Sequence, residues 1–483
     1  MARKRSLLSV LGPLAVIVFI AVGAGCSAAS MDAASGAPPG SMGATPGGAQ
    51  DAGLFRAKIA RGEVPRSDEL HVEGMLAEHD LPVLGEPCTR ALCLGSATAI
   101  AAGADDGDRT AWVQLGFSTG FDAATFKRPD LDLSVVVDRS GSMAGEKIVA
   151  ARDAVRKLVG QLGPRDRLSI VLFDDKVDVL VSPTFVDDTN KERILGQIVG
   201  IEARGATNIE LGLSKGYAFT EQDVASTARS HRVMLLTDAL PNIGSTDAGS
   251  FIGMARTYAA KGIGLTAFGI GLDFGQQLAH DISQVRGGAY FFLQDEEKLR
   301  TVFDRDFDYL VTPIAYDMKV SVGAQTSWTF STAYGVPSAS LTDGRLALNV
   351  PTVFLSRNKG AIVLRYAPKS TTPEAPVAHL AIDYQKVDGT PVHQELDATY
   401  GGKAPLTDGF EWYQQVGVRK VVALSNWVLG VKKALQARES GDPAEAKKRI
   451  GETRAAFAAH VTELGDEGLK TELLLLDRLI ALM

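Results

Sequence analysis

From residue 131 onward the chain alternates two patterns. Short, almost continuous apolar runs at 133–137, 168–173, 232–237 and 263–270 read as parallel strands buried on both faces. Between the first two, Ile148, Ala151, Val155, Leu158 and Leu162 recur at helical spacing. Strand, helix, strand in repetition predicts a doubly wound, mostly parallel α/β sheet over 131–312, with ligands at the carboxyl ends of its strands. At Pro313 the alternation stops. Strand patterns at 317–322, 346–350, 361–366, 379–384 and 394–400 predict an antiparallel, β-sandwich-like domain over 313–405. Residues 406–483 return to helical periodicity, with Asp442-Pro443 as a cap and first-turn pair and a break at 465–468. The stripes Val421, Leu424, Val428, Val431 and Leu473, Leu476, Ile480 read as core faces of this helical region. Upstream, 54–130 opens helically at 55–59 and 70–76, then turns strand-like at 111–117. Strands thus flank the α/β unit on both sides. The ends of an inserted domain lie close together, so 111–117 is expected to pair with strands from 317–400, making the α/β unit an insertion in a β domain.

A chain of 483 residues, 45% apolar, has room for two or three such units. Residues 27–53 stand apart: Ala, Gly, Ser and Pro with almost no large apolar side chain read as a disordered tether. Before it, Arg3, Lys4 and Arg5 lead an apolar run over 7–24, followed by small residues and Cys26, the pattern of an export signal over 1–26. Val22-Gly23-Ala24-Gly25-Cys26 resembles the lipobox of bacterial lipoproteins, in which the Cys becomes the lipidated first residue of the mature protein; Gly23 departs from it, standing where a branched aliphatic residue is usual. An ordinary secretory signal or a short membrane anchor fits the same run. The expected location is the cell envelope, through a lipidated Cys26, with a secreted or periplasmic protein as the alternative. Of the three cysteines, Cys88 and Cys93 are spaced for a small loop disulfide in an oxidising compartment, or stand as separate buried thiols. A net charge of −7, with no basic stripe beyond the first residues, argues against a nucleic-acid partner.

The run 133–137 leads into Asp138-Arg139-Ser140-Gly141-Ser142-Met143 and then a helix. One carboxylate and two hydroxyls at a strand's carboxyl end suit either a helix-capping loop or a cation site. Asp138, Ser140 and Ser142 are similar to the first segment of the metal-ion-dependent adhesion site of von Willebrand factor A domains. Gly205-Ala206-Thr207-Asn208 resembles its second segment, which supplies a Thr, and Leu236-Thr237-Asp238-Ala239 its third, which supplies an Asp. The resemblance implies one Mg²⁺, with Mn²⁺ as a substitute, held by Ser140, Ser142 and Thr207 directly or nearly so. Asp138 and Asp238 then act through waters or by direct contact. Oxygen donors without His or Cys independently suit a hard cation. Octahedral Mg²⁺ leaves a position for water, which an Asp or Glu of a partner protein can take, so the implied function is metal-dependent protein binding. The alternatives are an envelope assembly component in which the ion only braces the loops, and a metal-dependent hydrolase.

Enzyme signatures are otherwise missing. There is no Walker A loop and no second Asp of an Asp-x-Asp phosphatase, and the seven His residues, at 71, 79, 231, 280, 379, 393 and 460, show no metal spacing or triad, so each reads as an ordinary polar residue. Gly269, Gly271 and Gly275 imitate a dinucleotide fingerprint with the third Gly one place late, and read as loop glycines. Asp174, Asp175 and Asp178 read as a solvated turn, and Glu210 and 202–204 as exposed charges. Beyond the metal loops, Arg61-Gly62-Glu63-Val64-Pro65, the Trp-containing strand before Asp138 and the strand-then-helix tail resemble secreted bacterial von Willebrand A proteins of the YfbK type, which implies an envelope protein without naming its ligand.

Overall fold

The computed structural model describes residues 41–46, 49–50, 52–238, 248–270, 281–293, 301–323, 325–336, 338–342, 345–402, 406–407 and 409–483. The export signal, Cys26, tether residues 27–40, Ala239 and the glycines at 271 and 275 lie outside them. In chain order, β1 (Ser41–Pro46) and β2 (Ala49–Gln50) precede α1 (Ala52–Ala60), α2 (Val72–Ala77), β3 (Cys93–Ala102) and β4 (Arg109–Asp122). The middle of the chain holds β5 (Asp130–Asp138), α3 (Glu146–Gln161), β6 (Arg167–Phe173), β7 (Val177–Phe185), α4 (Asp188–Ile198), α5 (Ile209–Glu221), β8 (Arg229–Thr237), α6 (Ala248–Ala259), β9 (Ile263–Ile270) and β10 (Ala289–Leu293). A short α7 (Phe307–Leu310) leads to β11 (Pro313–Val322), β12 (Trp328–Tyr334), β13 (Ser338–Thr342), β14 (Arg345–Ser356), β15 (Ala361–Pro368), β16 (Ala378–Lys386), β17 (Pro391–Ala398) and β18 (Trp412–Tyr413). The chain closes with α8 (Val416–Glu439), α9 (Pro443–Leu464) and α10 (Glu467–Leu482).

The middle strands form one sheet in the order β2-β10-β9-β8-β5-β6-β7, parallel except for β7, which returns antiparallel along β6. Continuous apolar runs are required because both faces are covered. Leu133, Val135 and Val137 of β5 pack beneath α3 and α4. Val136 and Val233 face the opposite way, into a core shared with α5 and α6.

All other strands belong to one antiparallel sheet of 11 strands, with a main path β12-β15-β4-β1-β14-β11-β16-β17. The expected insertion is present: β4 pairs with β15, Val113 opposite Leu364, although the two strands are separated in sequence by the whole α/β unit. Arg128, in the entering segment, closes the neck, bonding Asp166 at 2.6 Å and Asp308 of the exiting α7 at 2.9 Å. Ala111, Val113, Leu115 and Phe117 of β4 enter one core of this sheet. Trp112 points the other way, into a core shared with α8, α9 and α10. The tail helices follow their sequence signals: the Asp442 side chain caps α9 by accepting from Glu445 N, and Gly465, at φ 62°, ends it.

One expectation changes here, and one open alternative is resolved. The tether, read to residue 53, gives way to structure from residue 41: β1 lies between β4 and β14, β2 extends the parallel sheet beside β10, and α1 starts at Ala52. The small side chains serve close packing, not disorder. Met42 and Ala44 are buried, and a Cβ on Gly43 would stand 2.1 Å from the Asn358 carbonyl oxygen. Cys88 and Cys93, left open between a disulfide and separate thiols, are joined as a disulfide. Among the described residues no helix is long and apolar enough to cross a membrane.

Candidate metal centre

β5 ends at Asp138, and the chain turns through Ser140 and Ser142 before α3 begins. β8 runs parallel to β5 with Leu236 opposite Val137, so Asp238 leaves the sheet at the same edge as Asp138. Thr207 comes from a third loop, just before the Asn208 cap of α5. Its loop is tied to the first through the backbone: Gly141 N donates to Gly205 O at 2.9 Å, and Arg204 N to Arg139 O at 2.6 Å.

The side chains converge. Ser140 Oγ and Ser142 Oγ lie 3.0 Å apart, and Ser142 Oγ donates to Asp238 Oδ1 at 2.9 Å. Asp138 accepts from Ser140 N at 2.8 Å and from Thr237 Oγ1 at 2.6 Å. Asp138, Ser140, Thr207 and Asp238 are at most 1% exposed, whereas Ser142 opens to solvent. Burial, and secondarily the neighbouring Asp238 charge, push the Asp138 carboxyl up to about 6. Among the described residues no basic side chain pairs with it. A buried carboxylate beside a second carboxylate, with hydroxyl oxygens around both, is a donor set that fits a hard divalent cation. The five residues expected from sequence therefore lie at one sheet edge, and the Thr207 loop is tied to the first loop through the backbone.

Sequence reasoning missed the groups that hold these loops. Lys147 Nζ lies 2.7 Å from Asp238 Oδ2. A Lys in the first turn of α3 opposes the helix dipole, and that was its available signal. Asp174 corrects the solvated-turn reading, being 1% exposed and the hub of an ion network. Its Oδ2 accepts from Arg139 Nε at 2.8 Å and Arg204 Nε at 2.9 Å, its Oδ1 accepts from Lys176 N at 2.8 Å, and its carbonyl accepts from Asn208 N at 2.9 Å. Burial alone would raise the Asp174 carboxyl, but the Arg204 and Lys176 hydrogen bonds and the Arg139 charge hold it at about 2. Asp178 pairs with the same two arginines, so Arg204, read as a plain exposed charge, anchors the Thr207 loop. His231, read as an ordinary polar residue, lies beside Asp132 and Asp223 at the far edge of the sheet.

Gly205 is required in that loop. It has φ +72°, and a Cβ there would meet Asp175 Oδ1 at 2.4 Å and Asp174 Cβ at 3.0 Å. Gly205→Ala is expected to shift Thr207 and lower Mg²⁺ affinity roughly tenfold or more, with the parallel sheet intact, as read by calorimetric titration and circular dichroism.

The comparisons bear on the domain that carries these loops. The family model described as von Willebrand factor type A domain matches residues 132–305. The uncharacterized protein YfbK of Escherichia coli K12 is 24% identical over 202 residues, 41% of this chain and 35% of that protein. The human inter-alpha-trypsin inhibitor heavy chain H4 is 27% identical over 160 residues, 32% of this chain. The chain thus spans only 35% and 17% of the lengths of these two relatives. A solved von Willebrand factor type A protein from Catenulispora acidiphila superposes with a TM-score of 0.53 at 14% identity, covering 79% of this chain and 89% of that one, which shows a shared fold. Residues 132–305 are a von Willebrand factor type A domain.

Proposed function

We propose that this chain is a metal-dependent protein-binding module of the bacterial cell envelope, serving adhesion or assembly. Mg²⁺, or Mn²⁺ in its place, is held by Asp138, Ser140, Ser142, Thr207 and Asp238, and an Asp or Glu of the partner protein completes its shell. The observation that carries the reading is the buried Asp138 carboxylate, which has no basic partner among the described residues and shares a sheet edge with Ser140, Ser142 and Asp238. Without a cation such a group is costly to bury. Ser142 is exposed, so one side of the ion faces solvent, where a partner carboxylate has access. Binding is the favoured role because the site's hydroxyls and carboxylates are bonded to one another and lie on the side that Ser142 opens to solvent, where a partner carboxylate can reach the ion.

Thr207→Ala separates this function from one in which the ion only braces the loops. Lost partner binding with an unchanged unfolding transition is the expected result; a destabilised domain that still binds its partner would contradict it. Anchoring through Cys26 rests on the basic start, the apolar run and the lipobox-like Val22–Cys26 segment. A multiply acylated Cys holds a membrane far better than one chain does. Cys26→Ser is therefore expected to move the protein from the membrane fraction to the soluble one, and a variant that stays membrane-bound would mark the apolar run as an uncleaved anchor.

A further inference from the structure

The opposite edge of the parallel sheet, at the amino ends of β5 and β8, holds a second cluster of ligating groups. Asp132 of β5 stands directly across from His231 of β8, and Asp223 comes in from the turn after α5. One ligand atom from each of the three lies within 4.8 Å of the others. His231 is 8% exposed. Its Nε2 is 3.0 Å from the carbonyl oxygen of Ser226, which only accepts, so Nε2 carries a proton. Burial disfavours a charged ring, but the Asp132 carboxylate and the Ser226 carbonyl outweigh it and raise the pKa, so a cation at Nδ1 has to displace a proton there. Nδ1 has no hydrogen-bond partner and points at Asp132 Oδ2, 3.5 Å away. An N–H···O hydrogen bond spans about 2.7–3.2 Å, which is shorter. Two ligands of a tetrahedral ion with bonds of ~2.0–2.1 Å stand about 3.3–3.4 Å apart, which matches.

We propose that Asp132, Asp223 and His231 form a second cation site that takes Zn²⁺ and is separate from the Asp138 centre. A metal-bound His typically donates its other ring N–H to a carbonyl or carboxylate, as His231 does to Ser226, and ligating carboxylates are themselves held by hydrogen bonds. Arg167 Nη1 reaches both Asp132 oxygens, at 3.2 and 3.1 Å, and Arg229 Nη1 reaches Asp223 Oδ2 at 3.0 Å. These arginines balance the two carboxylates, so net charge does not favour a hard ion such as Mg²⁺; the imidazole nitrogen selects a borderline one. Three protein ligands leave a fourth position for water, and the partly exposed Asp223 gives an entry path. The bound ion ties β5, β8 and the turn after α5 together at the edge away from the partner-binding loops.

The test uses the full chain in saturating Mg²⁺, titrated with Zn²⁺ while the ring nitrogens of His231 are followed by ¹⁵N NMR, which reports this site whatever happens at Asp138. Zn²⁺ is expected to shift the Nδ1 resonance to that of a coordinated nitrogen. His231→Gln should weaken this Zn²⁺ binding at least tenfold, with Mg²⁺ affinity unchanged. A wild-type His231 that keeps protons on both nitrogens in excess Zn²⁺ would overturn the proposal, showing a plain ion pair with Asp132, and so would unaltered Zn²⁺ binding in the variant. The wild-type spectrum decides alone if the variant fails to fold.

Discussion

Asp138→Ala is expected to lower Mg²⁺ affinity about 100-fold or more while the domain stays folded. An ion in the proposed site has two nearby negative charges, Asp138 and Asp238, and Asp238 is already shared with Lys147. Asp138 is thus the charge least compensated by protein. Removing one outer partner of a metal site costs about 10–100-fold, and removing a carboxylate of the site itself lies at or beyond the upper end. The fold is expected to survive because Asp138 sits past the last apolar position of β5, and alanine relieves a buried charge that lacks a basic partner. Calorimetric titration reads the affinity and thermal unfolding the fold. Unchanged Mg²⁺ affinity would refute the assignment of Asp138 to the site.

Trp112→Ala is expected to destabilise the antiparallel sheet and its helical layer by about 3–5 kcal/mol, the range for truncating a large buried aromatic side chain. Trp112 is fully buried, donates from Nε1 to Ala101 O at 3.1 Å, lies under the Arg365 guanidinium at 4.7 Å and stacks near Tyr334. It sits where β4 meets the core shared with α8. The loss strikes the β domain into which the metal-binding domain is inserted, so Mg²⁺ affinity at 25 °C should change little. Denaturant unfolding followed by circular dichroism checks the stability. A loss under about 1 kcal/mol would show that this layer does not depend on the Trp112 contact.

How much of this was legible in the sequence depended on the kind of interaction. The parallel strands β5, β6, β8 and β9 were legible because burial on both faces leaves them continuously apolar. β7 was not: as an edge strand with only Val181 buried, it lacks both a long apolar run and a strict alternation. β1 was hidden for a different reason. Its Ser-Met-Gly-Ala-Thr-Pro composition resembles a linker, and its place depends on Gly43 fitting against Asn358, a residue more than three hundred positions away. At the site, Asp138, Ser140 and Ser142 share one loop, and Thr207 and Asp238 stood out by resemblance. The groups around them are paired across loops. Arg139 with Asp174, Arg204 with Asp178 and Lys147 with Asp238 each join segments that meet only once the sheet is assembled. The same holds for His231, whose neighbour Asp132 follows from the β5–β8 register and not from any spacing of histidines.

The measurement that tests the central claim most directly is capture of envelope proteins by the immobilised chain in Mg²⁺, in EDTA, and in EDTA followed by restored Mg²⁺, with Asp138→Ala alongside. The account predicts a partner retained in Mg²⁺, released by EDTA, recovered when Mg²⁺ returns, and never retained by the variant. A partner bound equally in EDTA, or equally by Asp138→Ala, would contradict it.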